Sequence, residues 1–547
     1  MKFLSLYLFS LLQTSAFASL NPLVIKGSKF FDSVTGEQFY FKGINYQPRT
    51  GATSKIQDPL ADEVGCKRDA KIFAELKINS IRVYETDSSL NHDVCMKTLE
   101  DAGVYVMIDV PTPFYSVNRE DPSWDIDMLN SHKLKVKEFS KYKNVVAFII
   151  GNEVTNSKLN TPASAFIKAA LRDIKTYLKS IKVSIPVGYV DNDDEDIRLS
   201  LISYFNCGDD QNARADFYGI NTYRWCGPNA TFKSSSFNKM IEPFKNYSIP
   251  SIITEFGCIG DEPRKFNEFK SILGPDMENI SSGGLVYEYS QEENNYGLVK
   301  VSYGNSDIEK LKDLENLKNV LSSINPKGIK MNNYNPSNKI SDCPPISDNW
   351  KVSKNLPPSP SEEACSCMID SLSCNLDSEF SISDSSKAKS LGDTLSYICA
   401  SISCSDVSHN TEKGEYGDFS FCNPVQRSAW ILNANYINQK KQNSTCQFNN
   451  FKTEIINSPK NKDITQCNKL NNSVNNDPKS DNSNSTEGDS NNDDEGSNNN
   501  DGGSKNSDEG SSTSTKSSNQ SNSQKYYTLN LALSTIVITA LFCGVVY

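Results

Sequence analysis

Between residues 39 and 289, short apolar runs alternate with longer stretches of helical pattern, as in repeated strand-helix units around a parallel sheet. Eight apolar runs stand out, at 39–46, 80–84, 104–110, 145–150, 186–190, 217–222, 251–254 and 284–289. Helices are expected over 69–76, 163–179 and 262–273, between some of them. Eight such units predict an α/β fold, a (β/α)8 barrel spanning residues 19–345.

A barrel of this kind builds its site at the carboxyl ends of its strands. Here the runs end, in order, in Asn45, Tyr46 and Gln47; Arg82 and Tyr84; Asp109; Asn152 and Glu153; Asp191, Asn192 and Asp193; Asn221 and Tyr223; Glu255; and Tyr287. Polar residues cap many loops, but eight ends together exceed what capping requires. The wholly apolar runs before Glu153 and Glu255 read as strands buried on both faces, so both acids are delivered into the barrel mouth.

Two carboxylates facing each other across a pocket suit glycoside cleavage, one as acid/base and the other as nucleophile. At about 5 Å and an effective dielectric near 20 they repel by roughly 3 kcal/mol, which splits their pKa values by about two units. Arg82 is expected to keep Glu255 ionised, leaving Glu153 as the general acid/base. Tyr46, Tyr84, Phe114, Tyr115, Tyr223, Trp225 and Tyr287 fall at the same end, where aromatic faces beside amides suit sugar rings.

The flanks of the chain carry different signals. Residues 1–18 have one lysine, an apolar run and an Ala-Phe-Ala end, the pattern of a secretory signal. Residues 471–523 are almost wholly Asn, Ser, Asp, Gly, Glu and Lys and are expected to form a disordered stalk. Residues 524–547 end in an apolar segment and have the layout of a glycosylphosphatidylinositol attachment signal, with the attachment residue near Ser517 to Asn519. Of 15 cysteines, Cys543 falls in that tail, and the even remainder suits complete pairing outside the cell. Eight of them crowd between Cys365 and Cys467, which implies a small stapled module at 362–470 beyond a linker at 346–361. Asn229, Asn246, Asn279, Asn443, Asn471, Asn484 and Asn519 each begin a glycosylation sequon.

Other chemistries fit less well. The net charge of −11 and the lack of basic clusters argue against nucleic acid, while neutral polysaccharide stays open. The three histidines, His92, His132 and His409, are poorly placed for a nucleophile-histidine system. No phosphate-cradling loop or dinucleotide fingerprint follows the early strands. The run Asp193-Asp194-Glu195-Asp196 lacks calcium-loop spacing, and Cys365-Ser366-Cys367 lacks zinc spacing, so no metal or cofactor is expected.

The stretches FKGINYQP, IRVYETD, NREDPSWD, GNEVTN, IPVGYVDNDD, ADFYGINTYRWCG, ITEFGC and SGGLVYEYSQEENNYGLVK occur in this order. Together they resemble the fungal β-1,3-glucanosyltransferases of glycoside hydrolase family 72. The resemblance implies a retaining enzyme that cuts an internal β-1,3 bond and joins the new reducing end to another glucan. It assigns Glu153 as proton donor and Glu255 as nucleophile, with sugar contacts from Gln47, Tyr84, Asn152, Asp193, Arg198, Tyr223 and Tyr287 and from the 111–119 loop. It also implies the bridges Cys66 with Cys95, Cys207 with Cys343 and Cys226 with Cys258, and a glucan-binding role for the cysteine-rich module. In that module Tyr397, Tyr416, Phe419, Phe421, Trp430 and Tyr436 are candidates for core or sugar platform. A monomer on the outer face of the plasma membrane, acting on glucan donors and acceptors, is the expected setting. A plain endo-β-1,3-glucanase and a non-catalytic wall-binding protein are the alternatives.

Overall fold

The computed structural model describes residues 20–474, apart from 49–54 and positions 228, 261, 382 and 462. The secretory and lipid-attachment segments, and all of the stalk beyond residue 474, lie outside the described residues. Eight parallel strands close into a barrel: β1 (Phe41–Asn45), β2 (Ser80–Val83), β3 (Tyr105–Asp109), β4 (Val145–Asn152), β5 (Val187–Asn192), β6 (Phe217–Asn221), β7 (Ser251–Phe256) and β8 (Ser281–Val286). Each pairs with its sequence neighbours, and β8 closes the ring on β1 with Gly283 opposite Phe41. Among the surrounding helices are α1 (Glu63–Leu76), α2 (Asp93–Asp101), α3 (Ile126–Phe139) and α4 (Ala163–Ser180).

Three elements differ from the sequence expectation. The last strand begins at Ser281, three residues before the expected start at 284, because Ser281-Ser282-Gly283 carries no apolar signal yet is buried throughout. Gly283 has φ 102°, and a Cβ there would lie 2.2 Å from the Phe41 carbonyl oxygen, so the close approach of β8 to β1 requires glycine. The helix expected from 262 starts only at Asn267, after Pro263 and a left-handed Phe266 (φ 51°). Ahead of β1, the strands Leu23–Lys26, Lys29–Asp32 and Gln38–Phe39 form a small antiparallel sheet. Its Phe30 packs edge-on to Phe41 at 5.1 Å and joins Met107, Ile149, Phe217 and Leu285 in one buried cluster. These strands therefore contribute to the core at the barrel's amino-terminal end, opposite the mouth.

Disulfides join Cys66–Cys95, Cys207–Cys343 and Cys226–Cys258 around the barrel. Beyond it, the helices Glu362–Asp370, Ser385–Cys399, Pro424–Asn438 and Thr465–Val474 belong to a module stapled by Cys365–Cys422, Cys367–Cys467, Cys374–Cys446 and Cys399–Cys404. Phe419, Phe421, Trp430 and Tyr436 are buried in the cores of this module, whereas Tyr397 is 78% exposed. The module leans on the barrel: the Ile126 N–H donates to the Phe421 carbonyl at 3.0 Å, and Phe166 meets the His409 ring at 4.8 Å. Asn229, Asn246, Asn279 and Asn443 are all exposed.

One buried ionic junction braces the barrel wall. His92 bridges Asp58 (2.9 Å) and Glu138 (3.0 Å), while Asp58 also accepts the Asp87 N–H on the loop after β2. Burial opposes the imidazolium, but hydrogen bonds and attraction from both carboxylates outweigh it and lift the His92 pKa above 6.5. A raised folded-state pKa stabilises the protein below the unfolded value, and that stability is lost as pH rises through the folded value. The His92→Gln variant is therefore expected to be less stable by about 3 kcal/mol at mildly acidic pH. The deficit should shrink as pH climbs above 6.5 in thermal melts recorded across pH.

Candidate active site

At the mouth, the buried guanidinium of Arg82 on β2 ties four strand ends together. Its Nε and Nη2 donate to Asp109 on β3 (2.9 and 2.7 Å), Nη2 to the Asn152 side-chain oxygen on β4 (2.9 Å), and Nη1 to Glu255 on β7 (3.1 Å). Neighbouring carboxylates hold its pKa above the already high arginine value despite full burial. Asp109 is thus not a free residue of the mouth: it is 5% exposed and both its oxygens face Arg82.

Glu153 follows directly on β4, and its Oε1 accepts from Asn221 Nδ2 at 2.7 Å. The same Nδ2 donates to Asn152 at 3.1 Å, and Thr254 Oγ1 donates to Asn221 Oδ1 at 2.9 Å, which fixes the amide's orientation. Asn221 is also the register partner of Glu255 across β6 and β7. Glu153 and Glu255 are therefore joined by one continuous path through Asn221, Asn152 and Arg82.

Glu255 is 7% exposed and accepts from Tyr84 (2.8 Å) as well as Arg82 on Oε1, and from Tyr223 (2.9 Å) on Oε2. Burial pushes its pKa up to about 7, with Glu153 adding like charge in the same direction. Arg82 and the two phenols oppose this by favouring the carboxylate. The sequence expectation that Arg82 holds Glu255 ionised captured the contact. It missed that the guanidinium divides its charge with Asp109 and that the carboxyl is largely buried.

Around the acids, Tyr223, Tyr287 and Tyr296 form a cluster with ring centres 5.4 to 6.1 Å apart. The Arg82 guanidinium lies 4.5 Å over the Tyr84 ring. Tyr296 was not foreseen, because it lies in the polar segment after β8 with no apolar run to flag it. Asp193 pairs with Arg198 and with the unforeseen Arg224, and accepts from Thr222 at 2.7 Å, placing this group at the β5 and β6 ends. Gln47 is 2% exposed; its oxygen accepts the Tyr84 and Glu85 N–H groups and its nitrogen donates to the Gln57 carbonyl, so it shapes the wall that carries Tyr84.

Tyr46 is not at the surface of the groove. It is 1% exposed, donates to Asp69 and packs on Phe73 and Tyr289. Trp225 likewise packs edge-on to Phe237 and is largely buried. Asp191 is fully buried, and that burial raises its pKa well above the usual carboxylate value while it accepts from Tyr218 at 2.8 Å. Beside Asn152 a cavity of about 270 Å³ opens between the 111–119 loop, Tyr84, Asp109, Trp124 and His132.

A (β/α)8 barrel with glutamates at the ends of its fourth and seventh strands, coupled across a tyrosine-lined mouth, has the architecture of the glycosidase class. Comparison with known proteins narrows this. The family described as glucanosyltransferase matches residues 12–325, and the X8 domain matches residues 380–453. The chain is 43% identical over 439 residues to Protein EPD1 of Candida maltosa, covering 80% of this chain and 78% of that protein. It is 40% identical over 457 residues to the 1,3-beta-glucanosyltransferase of Arthroderma benhamiae, covering 79% and 82%. Saccharomyces cerevisiae Gas2p in complex with laminaripentaose superposes with a TM-score of 0.73 at 38% identity, covering 80% of this chain and 98% of that one. The chain belongs to the glucanosyltransferase family.

The phenol contacts on Glu255 yield a direct check. Removing a donor that favours the carboxylate raises the pKa, so in Tyr223→Phe the Glu255 carboxyl should titrate above its wild-type value of about 7. Carbon-13 NMR of labelled glutamate measures this; an unchanged or lower value would contradict the hydrogen-bond account.

Proposed function

We propose that this protein is a retaining β-1,3-glucanosyltransferase that cuts an internal β-1,3-glucosidic bond and rejoins the new reducing end to the non-reducing end of another glucan. The observation that carries the reading is the coupled placement of Glu153 and Glu255 at one barrel mouth, linked by Asn221, Asn152 and Arg82.

In the first step Glu255 attacks the anomeric carbon while Glu153 protonates the departing glycosidic oxygen, and the leaving glucan carries away that proton. In the second, the 3-hydroxyl of an acceptor glucan gives its proton to Glu153 and attacks the same carbon, releasing Glu255. Two inversions retain the configuration. The attack needs ionised Glu255, and the donors from Arg82, Tyr84 and Tyr223 support that form. Tyr84, Asn152, Tyr223 and Tyr287 serve as sugar contacts, Asp193 with Arg198 line the rim, and Gln47 supports the Tyr84 wall.

Kinship with proteins named 1,3-beta-glucanosyltransferase supports transfer over simple hydrolysis. The same kinship supports a place at the cell surface, and the layout of residues 524–547 is the ground for reading a lipid anchor there, on a chain read as a monomer. Among the described residues no helix is long and apolar enough to cross a membrane.

Incubation with one reduced laminarin oligomer separates the two outcomes. Transfer yields products longer than the donor, whereas a series of shorter products alone would make the protein an endo-glucanase. Glu153→Gln and Glu255→Gln should each lower turnover roughly a thousandfold while glucan binding persists. Survival of activity in both would remove the assignment of the acids.

A further inference from the structure

Glu153 sits in a backbone conformation that non-glycine residues rarely adopt, with φ 49°. Two hydrogen bonds hold its peptide groups there. Its N–H donates to the Val190 carbonyl on β5 at 2.9 Å, and its own carbonyl accepts from Arg119 Nη2 at 2.9 Å. Arg119 comes from the loop between β3 and α3, and it lines the cavity beside Asn152 together with Tyr84 and Asp109.

That loop is held near both of its ends. Thr112 Oγ1 accepts the Phe114 and Tyr115 N–H groups at one end. At the other, Trp124 Nε1 donates to Asp173 Oδ2 at 2.8 Å, and Asp173 takes Ser359 Oγ from the segment leading to the cysteine-rich module at 2.5 Å. Arg119 therefore lies on a loop held on either side of it, and a charge-assisted bond to a carbonyl is strong and directional.

We infer that Arg119 is a positioning residue for the acid/base, holding the Glu153 main chain in its left-handed turn so that the carboxyl meets the glycosidic oxygen. The inference rests on the reading of Glu153 as acid/base. Asn221 still holds the carboxyl when Arg119 is lost, so the acid is misplaced and not removed. A misplacement of this kind costs rate at the proton-transfer steps and spares steps that need no proton.

The test compares two donors. A laminarin oligomer needs protonation of its leaving group and a base for the acceptor. A 2,4-dinitrophenyl β-laminaritrioside with azide as acceptor needs neither. Arg119→Ala should lose roughly 10- to 100-fold in kcat on the oligomer, with KM within about twofold, and keep near wild-type dinitrophenolate release with azide. Arg119→Lys, retaining the charge, should recover part of the loss. Equal loss on both donors, wild-type activity on the oligomer, or a rise in KM with kcat intact would each overturn the positioning role. Glu153→Ala, run in parallel, separates the two readings. If azide fails to rescue it, the acid/base assignment itself falls. If azide rescues it while Arg119→Ala departs from the expected pattern, only the Arg119 inference falls.

Discussion

The site is organised by one buried cation. Arg82 has no exposed surface, and its guanidinium reaches acceptors on three other strands, Asp109, Asn152 and Glu255. Burying such a group without partners would cost several kcal/mol, so the barrel mouth is built to satisfy it. Arg82 shares its single positive charge between Asp109 and Glu255, and burial of the Glu255 carboxyl, with like charge from Glu153, outweighs that attraction and raises its pKa. The two phenols from Tyr84 and Tyr223 supply the remaining stabilisation of its charged form. In the proposed reaction Glu255 would be charged, then covalently occupied, then charged again, and a carboxyl kept near the balance between protonated and ionised suits that cycle.

Around this cation the chain layers progressively longer-range constraints. The strand ends place the acids, the amide of Asn221 orients Glu153, and loops borrowed from distant segments set the walls. The cysteine-rich module joins this arrangement through the Ile126 to Phe421 backbone bond and the Ser359 to Asp173 contact. Ile126 opens α3, the helix that follows the loop carrying 111–119, and Asp173 lies on α4. The junction thus joins a separately stapled unit to the helices α3 and α4 of the barrel.

Much of this was legible in the sequence, and the reasons are local. Val145 to Ile150 and Ile252 to Thr254 are buried on both faces, so their apolar runs announced strands, and the first polar residues after them announced the site. Where burial is achieved by small residues the signal fails. Ser281-Ser282-Gly283 is a strand because its neighbours crowd it, and nothing in its hydrophobicity says so. Tyr46 shows the converse error, since a tyrosine at a strand end can turn inward when a buried partner such as Asp69 accepts its hydroxyl. Arg224 and Tyr296 were missed, and Arg119 was reached only as the end of the 111–119 loop, because their contacts with Asp193, Tyr223 and Glu153 span tens of residues of chain and follow no periodic pattern. In the module, Phe419, Phe421, Trp430 and Tyr436, which could have been platforms, are core, as expected where a small domain has few other ways to bury surface, while Tyr397 stays exposed.

The central claim is that Glu255 forms the covalent bond to sugar while Glu153 handles the proton. Trapping the enzyme with a 2-deoxy-2-fluoro laminaribiosyl donor and mapping the adduct by peptide mass spectrometry tests it most directly. The account predicts one glycosyl adduct on the peptide carrying Glu255, on that side chain. An adduct on Glu153, or inactivation with no covalent adduct at either glutamate, would contradict it.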